Sequence, residues 1–381
     1  PPTLPETKST QSTIFASKYF NNDSERYLEI MSYDKPCPPI RESKIAVTMI
    51  VHSTMNRFWI LAESCNRWGT NNDFVLVIYY TQNEFSELQS QLPGLTKACP
   101  KVSVVPFCED RTDKDHFLEY PVNTLRNVGI DHLQTSHYLM VDVDFLPSHY
   151  LHEVIIHSRS KLAEDDKQLL IVPAFQRQGG GGETELEKSS SVCTDAESCK
   201  EKLNEKDFIP YGYKSLVGCL HSRKCFPFQY DNNPQGHSTT DSEHWVARDS
   251  DGNTEVKCFD NNRYEPYMVV RHCPGFTPYY DERFYGYGKN KIEMVAHLRH
   301  LDYKFNILNK AFIIHFPHPE SKSKNEWLQN GGNGGNGIGG GGGSKMHEEM
   351  DKLYGKFVRD LKKYHGQTPL TPLCTTPHNH K

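Results

Sequence analysis

The chain has 381 residues, a formal net charge of −5 at pH 7, a pI near 6.5 and a mean hydropathy of −0.67. That length gives one large or two ordinary domains with a full core, and the mild acidity excludes a basic nucleic-acid surface or a polybasic membrane surface. No run of about 20 apolar residues occurs, so this segment holds no membrane-spanning helix; because it opens on Pro1-Pro2, a trimmed fragment is expected, with any anchor outside it.

Residues 1–43 are polar and proline-rich and read as a stem or N-terminal arm; they hold the sequon Asn22-Asp23-Ser24. Lys44–Val51 is the first expected strand. From Ser53 to Trp68 apolar residues fall at helical spacing, with Ser53 or Thr54 able to cap the start and Gly69 the end. Phe74–Tyr80 and Val102–Phe107 are further buried strands. Strand, helix and strand in this order predict a parallel sheet. Pro121–Leu133 reads as a helix that turns Val122, Leu125, Val128 and Gly129 to the sheet, leaving Asn123, Arg126 and Asn127 on other faces.

A strand is expected over His137–Phe145, and Leu169–Val172 continues the pattern. Residues 176–206, rich in Gly, Glu, Ser and Lys, read as an exposed loop insertion. Tyr267–Arg271 is a strand, Asn290–Leu301 a helix, and Asn306–Phe316 one or two strands. The Asn/Gly tract 330–344 reads as a disordered linker, followed by a helix over Met346–Tyr364 and a tail. The eleven cysteines include two closely spaced pairs, Cys193/Cys199 and Cys219/Cys225. Their spacing is not that of zinc sites, so disulfides in an oxidising compartment are expected, with an odd thiol left over.

The strand His137–Phe145 ends in Asp142-Val143-Asp144. Side chains two apart in a strand share a face, so the two carboxylates are expected to project together. Two such groups at the end of a buried strand need a positive partner, and a divalent cation that also holds phosphate oxygens suits them. An ordinary exposed acidic pair is the plain alternative. A second apolar strand, Ala311–Phe316, ends in His315, with His318 beyond Pro317; a hydrogen-bonded core histidine is the competing reading. Asp281-Glu282 precedes an aromatic, glycine-rich stretch, Arg283–Lys291, where small residues allow close approach to a flat ligand such as a sugar.

Taken in order, Ile45–Trp68, Tyr120–Asn127, Tyr138–Pro147, Tyr264-Glu265-Pro266-Tyr267, Tyr280–Lys291 and Ala311–His318 resemble the glycosyltransferase family of LARGE-type second catalytic domains and the β-1,4-glucuronyltransferase of dystroglycan glycosylation. The resemblance covers residues 44–320. It implies a GT-A fold, a Rossmann-like α/β/α sandwich with a mixed central sheet. It also implies an inverting, metal-dependent transfer from a UDP-sugar, glucuronate or N-acetylglucosamine favoured, to a hydroxyl of a glycan or glycoprotein acceptor in the Golgi or secretory lumen.

On this resemblance Asp142, Asp144 and His315 are the expected ligands of Mn²⁺ or Mg²⁺. Asn123, Arg126, Asp142 and Lys291 contact the nucleotide-sugar, and Asp281 or Glu282 serves as the general base, the alternative being that they pin the aromatic turn through Arg283. The chain departs from the pattern at Gly286-Tyr287-Gly288-Lys289-Asn290-Lys291, where relatives usually read Gly-Phe-Gly-Trp-Asn-Lys. The competing functions are a catalytically inactive glycan-binding relative of the same fold and, from another class, a metal-dependent hydrolase, for which no further acidic cluster appears.

Overall fold

The computed structural model describes residues 37–108, 120–178, 192–231, 233–248, 250–285, 288–319, 345–366 and 368–375. In chain order these form β1 (Val47–Thr54), α1 (Leu61–Trp68), β2 (Phe74–Tyr80), α2 (Phe85–Ala98), β3 (Val102–Cys108), α3 (Val122–Asp131), β4 (His137–Asp142) and β5 (Phe145–Pro147). Next come α4 (Leu151–His157), α5 (Arg159–Glu164), β6 (Gln168–Val172), β7 (Ala174–Arg177), α6 (Ala196–Asn204), α7 (Tyr213–His221), β8 (Cys225–Pro227), α8 (Ser242–Ala247) and β9 (Asn253–Glu255). The last are β10 (Tyr267–Arg271), α9 (Ile292–His300), β11 (Lys304–Leu308), β12 (Ile313–His315) and α10 (Lys345–His365).

The architecture is mixed α/β. An eight-stranded sheet runs in the order β3-β2-β1-β4-β10-β6-β11-β9, and a four-stranded sheet in the order β5-β12-β7-β8. The strands β3, β2, β1 and β4 are mutually parallel, while β10 runs antiparallel to both β4 and β6. The period-two pattern explains the layering. Val47, Met49 and Val51 join one core with Leu76, Leu139, Val141 and the Leu61, Cys65 and Trp68 face of α1. Ile50, Val75, Val77 and Met140 join the other with Leu125 and Val128 of α3. A smaller cluster of Phe284, Ala296, Met350, Phe357 and Leu361 seats α10.

Several expectations shift. The helix foreseen from Ser53 begins as a 3₁₀ stretch, Met55–Ile60, and becomes α-helical at Leu61, because β1 continues to Thr54; Gly69 closes it at φ +100°. The loop foreseen over 176–206 is not exposed throughout: β7 reaches Arg177, α6 spans Ala196–Asn204, and Cys193 and Cys199 lie in the core. The Cys193–Cys199 disulfide belongs to the same buried apolar cluster as Phe208 and Leu216. The sequon at Asn22, Gly179–Gly182 and the tract 330–344 lie outside the described residues.

Cys193–Cys199 and Cys219–Cys225 are bonded as expected. Three long-range disulfides accompany them: Cys37–Cys273, Cys65–Cys99 and Cys258–Cys374, which clip the arm, α1 and the tail to the body. Cys108 is not disulfide-bonded.

α3 lies against the sheet at a glycine. A Cβ placed on Gly129 would come 2.4 Å from Ile50 Cγ2, a side chain wholly buried in β1. Gly129→Ala therefore has to push the helix outward, at a cost of about 1–3 kcal/mol. The expected result is a lowered urea midpoint with an unchanged slope.

Buried neutral histidines give the fold a definite acid response. His137, His237 and His297 are depressed to about 3, in each case chiefly by burial. Unfolded histidine titrates near 6.5, so below that pH the unfolded chain takes up protons the folded chain refuses. Stability is then lost as pH falls from 6.5 toward 3, by roughly 1.4 kcal/mol per pH unit for each such residue. Urea midpoints measured at pH 7.5 and 5.5 are expected to fall; equal midpoints would show these histidines to be charged inside.

Candidate active site

The site forms where the parallel strands end. His52 near the end of β1 pairs in register with Asp142, the last residue of β4, and β10 starts at this same edge with Tyr267. The chain turns at Val143-Asp144, so Asp142 and Asp144 do not share one strand face as expected: one closes β4, the other occupies a turn before β5. The short strand β5 then pairs antiparallel with β12, Phe145 opposite His315, and the Phe316 amide donates to the Asp144 carbonyl at 2.9 Å. That pairing carries the late histidines, some 170 residues on, to Asp144.

Asp144 Oδ2 lies 3.4 Å from His315 Nε2 and 2.8 Å from His318 Nε2. Burial alone would raise this carboxyl; the charges and hydrogen bonds of His315 and His318 outweigh it and hold the group well below the usual carboxylate range. Burial lowers His315 despite Asp144, which favours the neutral imidazole a metal requires. The His318 Nδ1 lies 2.7 Å from the Pro319 carbonyl and 2.6 Å from Arg57 Nη2. Arg57 Nη2 also donates to the Pro319 carbonyl at 2.6 Å, so this guanidinium donates into His318 Nδ1 and fixes the ring, whose Nε2 faces Asp144. One atom each from Asp144, His315 and His318 lies within 4.8 Å of the others, the arrangement in which a cation can replace the mutual contacts. Their donor set of two imidazoles and a carboxylate fits Mn²⁺ or a similar divalent ion.

Asp142 belongs to a different set of partners. Its Oδ1 accepts from Arg126 Nη2 at 3.1 Å, its Oδ2 from the Tyr267 hydroxyl at 2.7 Å and from Lys291 Nζ at 3.1 Å, and His52 Nε2 lies 3.6 Å away. Burial would raise Asp142; Lys291, the nearby His52 imidazole and Arg126 overcome it, and the carboxyl sits well below its ordinary range. Lys291 also lies over the Tyr267 ring, 4.4 Å from its centroid. Asp142 is thus a carboxylate held by cations rather than a member of the Asp144 cluster.

Asn123, Arg126 and Asn127 of α3 are buried, not turned to solvent. Arg126 Nη1 donates to Asn123 Oδ1 and to Asn290 Oδ1, each at 2.9 Å, and the guanidinium lies over Tyr280. Asn123 Nδ2 donates to the Asp281 carbonyl at 2.9 Å, and Asn127 bonds both the amide and the carbonyl of Tyr280. The helix is therefore a polar brace between β4 and the 280–291 segment. No periodicity signals such a brace, since buried and exposed polar residues look alike.

Asp281 and Glu282 are placed as parts of that brace. Asp281 is 2% exposed and its carboxylate is gripped by the Arg283 guanidinium. Glu282 Oε1 accepts from Asn127 Nδ2 at 2.7 Å. Arg57, Tyr267 and His52 are partners with no signal in the sequence, whereas His318 stood out by its spacing from His315 as a second histidine able to reach the site.

The site lies at the carboxyl ends of the parallel strands β1 and β4, the edge at which open α/β sheets commonly receive ligands. The sequence profile of a family described as "Glycosyl-transferase for dystroglycan" matches residues 103–354. The chain belongs to that family. It is 30% identical over 284 residues to xylosyl- and glucuronyltransferase LARGE2 of Mus musculus, a match covering 72% of this chain and 35% of that protein. It is 27% identical over 284 residues to the glycosyltransferase-like protein gnt14 of Dictyostelium discoideum, covering 73% of this chain and 38% of that protein. The chain thus spans about a third of the length of these curated relatives. A crystal structure of GalNAc-T7 with UDP, GalNAc and Mn²⁺ aligns at a TM-score of 0.40 and 9% identity, over 81% of this chain and 52% of that one, a likeness too low to argue from. Among the described residues no helix is long and apolar enough to cross a membrane.

Proposed function

We propose that this chain is an inverting, divalent-metal-dependent glycosyltransferase with the GT-A fold. It moves a sugar, glucuronate or N-acetylglucosamine favoured, from a UDP-sugar to a hydroxyl of a glycan or glycoprotein. The observation that carries the reading is the convergence of Asp144, His315 and His318 beside the cation-paired Asp142. Asp144, His315 and His318 would hold Mn²⁺ or Mg²⁺. When bound, the ion supplies Lewis-acid neutralisation of the charge that grows on the departing nucleoside diphosphate.

The protein's own residues do the positioning. Arg126 and Lys291 bring two fixed positive groups to the edge where an anionic donor docks, already oriented by Asp142, so little reorganisation is needed when charge develops. Lys291 also suits the carboxylate of a glucuronate donor. Asp281 and Glu282 pin the 280–291 segment through Arg283 and Asn127, which keeps Lys291 in place. The five disulfides fit an oxidising compartment, and the secretory or Golgi lumen is the proposed location. The mild acidity leaves nucleic acid out of the partner set.

The test is a panel of UDP-sugars with p-nitrophenyl glycosides as acceptors, read as UDP release with Mn²⁺ and with EDTA. Release from one donor, dependent on both acceptor and Mn²⁺, is expected. A wild-type chain inert toward every donor contradicts the reading.

A further inference from the structure

Inverting transfer needs a base, and most carboxylates around the cleft are already committed. Asp142 is held by Arg126, Lys291 and Tyr267, Asp144 by His315 and His318, Asp281 by Arg283, and Glu282 by Asn127. Glu265 differs. Its side chain is half-buried, yet among the described residues its carboxylate makes no hydrogen bond and no ion pair.

Glu265 stands just before β10, two residues from Tyr267, whose hydroxyl reaches Asp142. The Glu265 amide donates to the Gly236 carbonyl at 2.8 Å and Pro266 follows, so the backbone at this point is held. The charges that act on the carboxylate are Lys291 and Lys289 at the entry to α9, Asp142 from β4 and Arg126 from α3. Burial raises Glu265 above the ordinary glutamate range, with Lys291 working against it. A raised carboxyl is better matched to proton abstraction near neutral pH than one locked in an ion pair.

We infer that Glu265 is the general base of the transfer reaction. Its carboxylate takes the proton of the acceptor hydroxyl while that oxygen bonds to the anomeric carbon. The bond from the anomeric carbon to the nucleoside diphosphate breaks, and its electron pair leaves on the phosphate oxygen. The inference rests on the transferase reading above and replaces Asp281 and Glu282 in the base role.

The experiment uses the full chain, with the UDP-sugar and p-nitrophenyl glycoside that the panel selects. Glu265→Gln is expected to lower kcat by about 10²–10⁴-fold and to remove the acidic limb of the kcat/KM profile. Its affinity for UDP with Mn²⁺, read by calorimetry, is expected to stay within about threefold of wild type, which also shows that it is folded. Glu265→Asp, which keeps the acid, is expected to retain that limb at reduced kcat. Glu265→Gln with wild-type kcat overturns the assignment, as does a loss of kcat matched by an equal loss of UDP affinity or an unchanged pH profile. A wild type inert to the whole panel overturns the transferase reading itself, whereas an active wild type with an equally active Glu265→Gln overturns this assignment alone.

Discussion

Asp144→Ala is expected to lower Mn²⁺-dependent transfer by about 10³-fold while the chain stays folded. The size of the effect follows from the proposed role: the side chain would be one of three donors to an ion that stabilises a leaving diphosphate, and losing such electrostatic support costs about 10²–10³-fold or more. The survival of the fold follows from the backbone. The Asp144 carbonyl still accepts from Phe316, and β5 still pairs with β12. His315 and His318, with side chains 22% and 12% exposed, keep access to water, so no buried charge is stranded. A stability loss of about 1 kcal/mol or less is expected. Steady-state kinetics and a thermal melt on the same sample check both halves.

Arg126→Met is expected to be the most destabilising change in the site. Arg126 is 2% exposed and ties together Asn123, Asn290 and Asp142. Methionine fills much of the same space, but it leaves Asn290 Oδ1 and Asn123 Oδ1 without this donor inside the protein. Asp142 keeps Lys291 and Tyr267, which limits the damage. Breaking a buried charge pair by removing one partner costs about 3–5 kcal/mol; the low end applies here, a fall of roughly 5 °C in Tm. Arg126→Lys is expected to rescue little, because one ammonium cannot span three acceptors held by a planar fork. An unchanged melt in both variants would show that α3 is not the brace described.

Much of the sheet was legible because alternating apolar residues leave little choice: Phe74–Tyr80 and Tyr267–Arg271 are strands as read, and Leu125 and Val128 face the core. The site was legible only where polar residues ended apolar runs, as at Asp142 and His315. The turn at Val143-Asp144 was not, since Val-Asp carries no strong turn signal, and the strand was drawn through it to Phe145. His318 follows Pro317 outside any strand, so its approach to Asp144 depends on β5 pairing with β12, a contact between segments far apart in sequence. The same holds for Cys37–Cys273 and Cys258–Cys374: only close cysteine pairs suggest their own partners. Glu265 stands in a motif that was noted for its order along the chain, but its lack of a partner is a property of the folded protein alone.

Asp144, His315 and His318 are proposed to hold one divalent ion, and Mn²⁺ binding reads this without any assumption about the sugar. The loss of the free Mn²⁺ electron paramagnetic resonance signal, titrated with wild type in the presence of UDP, is expected to saturate at one ion per chain. Asp144→Ala and His318→Ala are each expected to abolish most of that binding, with a normal melt. Saturation by both variants as tightly as by wild type would place the ion elsewhere and contradict the account.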